Sequence, residues 1–468
     1  MKGRRSQTMK RNIRALFGGD FRQFGMIAAL IVILLFFQIR TGGKVFQAQN
    51  LMNLIMGNAY VLILAIGMVL VIIAGHIDLS VGSVAAFVGI VVAMVMKSFG
   101  LPPLVALIIG ILVGLAVGAW QGFWVAQWGI PAFIVTLAGM MIFRGANQFV
   151  GKSLTVPVPE FFQFLGAGYL PDVAPDVLAF NLPTMVLAGI AVIALVIVEI
   201  RKYRRQKTSG VEMPATWVPV VRTVILSALI IVIMWVFATG RPGTSFPVPG
   251  IIVVVLALVY SFIANRTVLG RSVYAVGGNK AAAELTGVRV KRANFFVMCN
   301  SSFLAAVAGM IFIGRATASG PADGNMWELD AIASVFIGGA AVSGGIGTIM
   351  GTMVGALVMA SLNNGLQLEG IGSDKTQMIK GLVLLLAVAV DVYSKRQGRR
   401  SIIGTFQNAR RNQREILAQE AELKKSLTDD PAAINVSGTV EHTITKLSSG
   451  EDLTGGGEED SSAQNSRE

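Results

Sequence analysis

One cysteine and two histidines in 468 residues remove whole classes of chemistry at the outset. Cys299 alone excludes an internal disulfide and any cysteine-based metal cluster, and His76 with His442 cannot complete a His/Cys metal site, so no resident metal is expected. Charge is equally scarce: 14% of residues are charged against 54% hydrophobic. Proton-coupled carriers place carboxylates and bases deep within several apolar segments. Here Glu199 and Asp391 fall at the ends of such segments, and Glu328 and Asp330 at the start of a short one. Asp78, accompanied by His76, is the clearest carboxylate within the membrane region, and one such pair near one face is no relay. A phosphate loop is missing too. "GANQFVGKS" (145–153) has five residues between its glycines where the phosphate loop has four, and it leads into "LTVPVPE" rather than a helix. The chain is therefore not expected to be an enzyme; if transport is driven by ATP, another chain must hydrolyse it.

What is present is apolar length. Runs of membrane-spanning size lie near 24–39, 51–74, 80–96, 104–125, 131–149, 184–200, 221–239, 250–265, 293–314, 327–342, 344–362 and 376–393. About twelve transmembrane helices in an all-α polytopic membrane protein are thus expected, with 327–342 the shortest. The net charge of +13 is clustered: 28 of the 39 Lys and Arg fall in 2–22, 201–222, 266–292 and 395–425. An even number of spans places all four blocks on one side, the positive-inside pattern. Both termini are then cytoplasmic, membrane lipid is the surrounding partner, and no nucleic acid is expected.

The organisation follows. Residues 1–23 form a basic cytoplasmic N-terminus, 24–396 the transmembrane domain, 397–428 a basic cytoplasmic segment with helical periodicity over 405–427, and 429–468 a tail. That tail has nine acidic and two basic residues with Gly455–Gly457, a composition that cannot bury a core and predicts disorder. The longest non-cytoplasmic loop, 150–183, is rich in proline and aromatics and predicts a structured cap. Glycines at Gly110, Gly114 and Gly118, and again at Gly347, Gly351 and Gly355, each precede a terminal Gly-Ile and would lie in oppositely directed spans. This pattern suggests an inverted internal repeat, alongside the simpler reading that small residues let helices approach closely.

Two stretches concentrate polar residues. "AGHIDLSVGS" (74–83) interrupts two apolar runs; its glycines permit a sharp backbone break, and Asp78 with Ser80 or Ser83 can cap the following helix. Amides such as Asn58 and Gln121 suit a path for a neutral, hydroxyl-rich solute, although single amides also bridge packed helices. In 266–292, Asn279 as N-cap and Gly287 as stop predict a short cytoplasmic helix over Lys280–Thr286, which Ala281, Ala282 and Ala283 favour. Such a capped, exposed helix reads as a docking element.

At these residues the chain resembles the sugar-type permease subunits of bacterial ABC importers, of the ribose, xylose and multiple-monosaccharide class. The resemblance rests on "GHIDLSVGS" (75–83), "GIPAFIVTLAGMMIFRG" (129–145), "GRSVYAVGGNKAAAELTGV" (270–288) and "ELDAIASVFIGGAAVSGGIGTIMGT" (328–352), and covers roughly 24–396. His76 stands where a glycine is often found, and the pair of spans near 184–239 looks like an insertion of the xylose-like branch. The resemblance implies a fold similar to the vitamin B12-type importers, in the bacterial cytoplasmic membrane. It implies a second permease copy, a separate ATPase that binds ATP and Mg, and an extracytoplasmic sugar-binding protein. By the same resemblance His76, Asp78, Ser80 and Ser83, with Asn58, Gln121, Pro131 and Thr136, belong to a gate and translocation path, the gate at its cytoplasmic end. Gly270, Arg271, Gly278, Asn279, Ala282, Ala283, Glu284 and Gly287 belong to the coupling element. A related permease for a branched-chain amino acid or a nucleoside is the alternative.

Overall fold

Leucine, valine and isoleucine dominate the long segments, so helices whose backbone groups bond internally are the structure a bilayer demands. The computed structural model describes residues 21–173, 178–208, 217–240 and 245–396, and it is helical nearly throughout. The chain divides into two units, Met1–Tyr393 and Ser394–Glu468. The expected N-terminal basic stretch up to residue 20, the 405–427 helix and the acidic tail lie outside the described residues.

The helices are α1 (Phe21–Arg40), α2 (Ala48–Ile73), α3 (Val81–Phe99), α4 (Pro103–Ala126), α5 (Ala132–Val150), α6 (Glu160–Ala167), α7 (Leu182–Thr208), α8 (Trp217–Ala238), α9 (Val248–Arg266), α10 (Val268–Gly278), α11 (Lys280–Leu285), α12 (Val290–Ala316), α13 (Trp327–Ile337), α14 (Ile349–Leu368) and α15 (Ser373–Arg396). Among the described residues nine are long and apolar enough to cross a membrane: α2 to α5, α7 to α9, α12 and α14. The cap between α5 and α7 carries α6 and a strand, Val156–Pro157, paired antiparallel with Ala318–Ser319.

Helices α2 and α12 form the antiparallel centre: Gly67 faces Leu304 and Ser301, while further back along α2 the ring of Tyr60 meets that of Phe312. Every residue of α2 from Val61 to Ile73 is buried, which an apolar run reaches only when helices rather than lipid surround it. Each central helix is followed by an irregular return. After Ile73 the chain doubles back so that α3 starts level with the middle of α12, running alongside it with Gly89 against Ile313. After Ala316 the chain likewise folds inward, and Trp327 at the start of α13 packs on Tyr60 and Phe312 at ring distances of 4.3 and 4.4 Å. The two returns meet where Gly82 abuts Gly324.

The expected continuous span over 327–342 is not what forms. Helix α13 has 11 residues, about 16 Å at the α-helical rise and half a hydrocarbon core. Gly339, Gly344 and Gly345, all at positive φ, turn the chain before α14. Helices α7 and α8 pack mainly on each other with most of their surface free, so the pair adds to the bundle without building its centre.

Candidate functional site

The return between α2 and α3 is organised around a carboxylate with no solvent exposure. Asp78 Oδ1 accepts from the Ser80 backbone N–H at 2.9 Å and from the Ser80 hydroxyl at 2.6 Å; Oδ2 accepts from the Ser301 hydroxyl at 2.7 Å. Gln121 Nε2 on α4 donates to Ser80 Oγ at 2.8 Å, and the Thr136 hydroxyl on α5 donates to the Ile77 carbonyl at 3.2 Å. Asp78 thus ties the return to α12, Ser80 ties it to α4, and Thr136 ties it to α5. A buried carboxylate is tolerable only with such donors.

Sequence reading expected Asp78 to cap α3, and the geometry is different. Ser80 occupies the N-cap position, but its side chain makes no capping bond: its hydroxyl donates to Asp78 and accepts from Gln121. Ser83 is buried with no hydrogen-bond partner for its hydroxyl. His76 is partly buried, and among the described residues there is no ion pair between it and Asp78. Asp78 is level with Ser301, the middle of α12, rather than with the end of the bundle. Pro131 is exposed at the N-terminus of α5. Asn58 belongs elsewhere: it lies on α2 and accepts from Asn363 on α14 at 3.3 Å.

The stretch 266–288, expected from its caps to present a docking element, forms two short helices. Thr267 caps α10 by accepting from Gly270 N–H at 3.1 Å, and Asn279 caps α11 by accepting from Ala282 N–H at 3.0 Å. Gly287, at φ 82°, donates to Glu284 O at 3.0 Å and ends α11. Ala283 is buried against Val276, Val290 and Ala293, whereas Arg271, Gly278, Ala282 and Glu284 are exposed. Leu285 is 90% exposed, a large apolar side chain presented by a six-residue helix.

Gly277 is the contact that spacing did not reveal. A Cβ there would run into the Ile73 carbonyl and lie 2.8 Å from Gly345 N. Gly345 N–H donates to that same carbonyl at 2.8 Å, and the Tyr274 hydroxyl donates to Gly347 O at 2.7 Å. The exposed element is thereby seated on the end of α2, five residues from Asp78, and on the turn between α13 and α14. Its signal in the sequence is the pair Gly277-Gly278 just before the Asn279 cap.

The glycine rows meet helices at close range. A Cβ on Gly110 would come to 2.7 Å from Val92 and 2.8 Å from Met310, on Gly114 to 2.5 Å from Ala306, and on Gly118 to 2.6 Å from Cys299. Gly347 faces Ile73, while Gly351 and Gly355 lie on Gly338 and Ser334.

Charge is buried although the spans read as nearly free of it, with uncharged amides as their polar groups. Glu328 and Asp330, in the first turn of α13, are 5% and 2% exposed, and Lys380 Nζ bonds Asp330 Oδ2 at 2.9 Å while Arg144 stands 3.8 Å from Glu328. Because α13 begins at mid-depth, residues at the edge of an apolar run come to lie inside the bundle. Beside them is a cavity of about 700 Å³ between α2, α14 and α15. Among the described residues no cluster of His, Cys, Asp and Glu suits a metal ion.

A membrane bundle whose two central helices are each followed by an irregular inward return, with an exposed capped element seated at the end of one of them, has the architecture of a permease. The chain matches, over residues 50–388, the family described as branched-chain amino acid transport system / permease component, and it belongs to that family. It is 37% identical over 379 residues to the xylose transport system permease protein XylH of Escherichia coli (strain K12), covering 81% of this chain and 93% of that one. It is 32% identical over 394 residues to the ribose import permease protein RbsC of Bacillus subtilis (strain 168), covering 84% and 98%. No solved structure matches.

Proposed function

We propose that this chain is the membrane-spanning permease subunit of an ATP-driven importer that carries a monosaccharide across the bacterial inner membrane. Its similarity to xylose and ribose permeases over most of its length supports the substrate class. The observation that carries the mechanism is the seat of Gly277 on Ile73 and Gly345. Through it, an element exposed for docking a separate ATPase bears on the end of α2, which leads into the return that holds Asp78, and on the turn between α13 and α14. A movement of α10 and α11 reaches Asp78, five residues beyond Ile73, through irregular backbone, which makes that junction the gate of the path. The path residues are Ser80, Gln121 and Thr136 around Asp78. ATP and Mg belong to the partner ATPase, and an extracytoplasmic binding protein delivers the sugar.

In this reading the chain passes the bilayer twelve times, α13 and its irregular flanks making one passage together, so both termini are cytoplasmic. An inverted repeat relates α2, α3 and α4 to α12, α13 and α14, as in vitamin B12-type importers. Its support is the shared order: a central helix, a return to mid-depth, then a helix bearing a glycine row. Two copies of the chain pair around the path.

Reconstituted with an ATPase and a binding protein encoded beside it, the chain should import D-xylose or D-ribose only with ATP. Dissipating the pH gradient at fixed ATP should leave uptake unchanged. Uptake of a branched-chain amino acid and of neither sugar would replace this substrate assignment.

A further inference from the structure

The cavity of about 700 Å³ lies inside a single chain, apart from the Asp78 junction, and its wall is unusual for a membrane bundle. Exposed Arg315, Asn325 and Ser373 stand at its mouth, and buried Asn58 and Asn363 at its floor. Above the floor Asn50 and Asn364 exchange two hydrogen bonds of 2.9 Å, a reciprocal amide clasp between α2 and α14. The Asn363 amide nitrogen is used on Asn58, but its oxygen has no partner although the residue is only 7% exposed. A buried amide oxygen without a donor is costly, more so at membrane depth. That oxygen has no accessible surface of its own, so it meets a hydroxyl in the cavity only when the Asn363 side chain, which lines the wall, turns toward it.

The rest of the wall narrows the chemistry. Lys380 reaches the cavity already neutralised by Asp330, so the interior holds little excess charge to attract an ion. Amides both donate and accept, the pattern that neutral hydroxyl groups match. Tyr60 contributes a ring held against Phe312 and Trp327, a flat apolar surface for the C–H face of a pyranose or furanose. The volume lies within the usual range for small-molecule sites. A zwitterionic amino acid would need a free cation for its carboxylate, and the cation at this depth is taken.

We propose that each chain binds one neutral monosaccharide in this cavity, with Asn363 and Asn58 on its hydroxyls and Tyr60 under its ring, as a holding site within one subunit. The assignment rests on the sugar-importer reading above. Gly57 offers the test, because it lines the cavity and a Cβ there meets nothing within 4 Å. Gly57→Phe should therefore plug the space without disturbing helix packing. Gly189→Phe places the same ring on the exposed side of α7, where a Cβ also meets nothing within 4 Å.

In the assembled transporter, Gly57→Phe should lower uptake of the imported sugar by about tenfold or more, and Gly189→Phe should not. As a second measurement, Cys299→Ser with Gly57→Cys gives the full chain one thiol; in nanodiscs its labelling by a small polar thiol reagent should slow several-fold in D-xylose or D-ribose, and not in mannitol at equal osmolarity. Parent-like uptake by Gly57→Phe overturns the site while leaving the importer reading intact. Labelling that the imported sugar does not slow also overturns it, whether or not Gly57→Phe assembles, and leaves a water-filled cavity. A parent that imports neither sugar overturns the substrate assignment and this site with it.

Discussion

Gly277 of the exposed α10 and Ile73 at the end of the central α2 touch backbone to backbone, with no room for a side chain between them. The Ile73 carbonyl also accepts from Gly345 N–H at 2.8 Å, so three segments share one oxygen. Gly277→Ala should force α10 away from this seat. The expected outcome is a transporter that assembles in the membrane but hydrolyses several times more ATP per sugar imported. A parent-like ratio of uptake to hydrolysis would show that force does not pass through this contact.

Asp78 has three donors aimed at two oxygens, so Asp78→Asn turns an amide N–H₂ toward one of them. The Ser301 hydroxyl can rotate to accept, whereas the Ser80 N–H cannot. The substitution should cost roughly 1–3 kcal/mol, read as a lower thermal midpoint, together with raised basal ATP hydrolysis. Ser301→Ala should add little on top of Asp78→Asn. Additive losses in that double-mutant cycle would mean that the two residues act independently.

Lys380→Met leaves Asp330 as a buried carboxylate without its cation. A loss of about 3–5 kcal/mol is expected, and Asp330→Asn in the same chain should recover most of it. If the double variant is no more stable than Lys380→Met, the pair is not what makes the single change harmful.

Leu285 is the apolar tip of the proposed docking element, and Asn279 caps the helix that presents it. Leu285→Ser should weaken ATPase binding by about tenfold or more without lowering the thermal midpoint of the isolated permease. Asn279→Ala should weaken it less, through fraying worth about 1 kcal/mol. Unchanged ATPase affinity in both variants would place the docking surface elsewhere.

Gly114→Leu tests the glycine row of α4. A Cβ already comes to 2.5 Å from Ala306 and 3.0 Å from the Ser302 carbonyl, so a leucine must separate α4 from α12. Lower yield of folded protein and faster proteolysis are expected. Parent-like behaviour would show that α12 can shift at little cost.

Composition and local pattern determined much of this protein. Apolar runs of bilayer length determined an all-helical membrane bundle, because lipid leaves the backbone no other partner. Asn279 and Gly287 marked α11 to within one residue, since capping is a local matter of side-chain oxygen and backbone φ. Family motifs over most of the chain carried the permease assignment.

Tertiary structure decided what depends on depth. In one dimension Glu328 and Asp330 sit at the edge of an apolar run; only the inward fold of 317–326 buries them beside Arg144 and Lys380. The same is true of Asp78. Its spacing from Ser80 suggested a cap, but its charge is met by Ser301, 223 residues away. Periodicity records which residues share a face of one helix, and it holds no information on which helix arrives opposite. The meeting of Gly277 with Ile73, and of Asn58 with Asn363, therefore had to come from the packing of the whole chain.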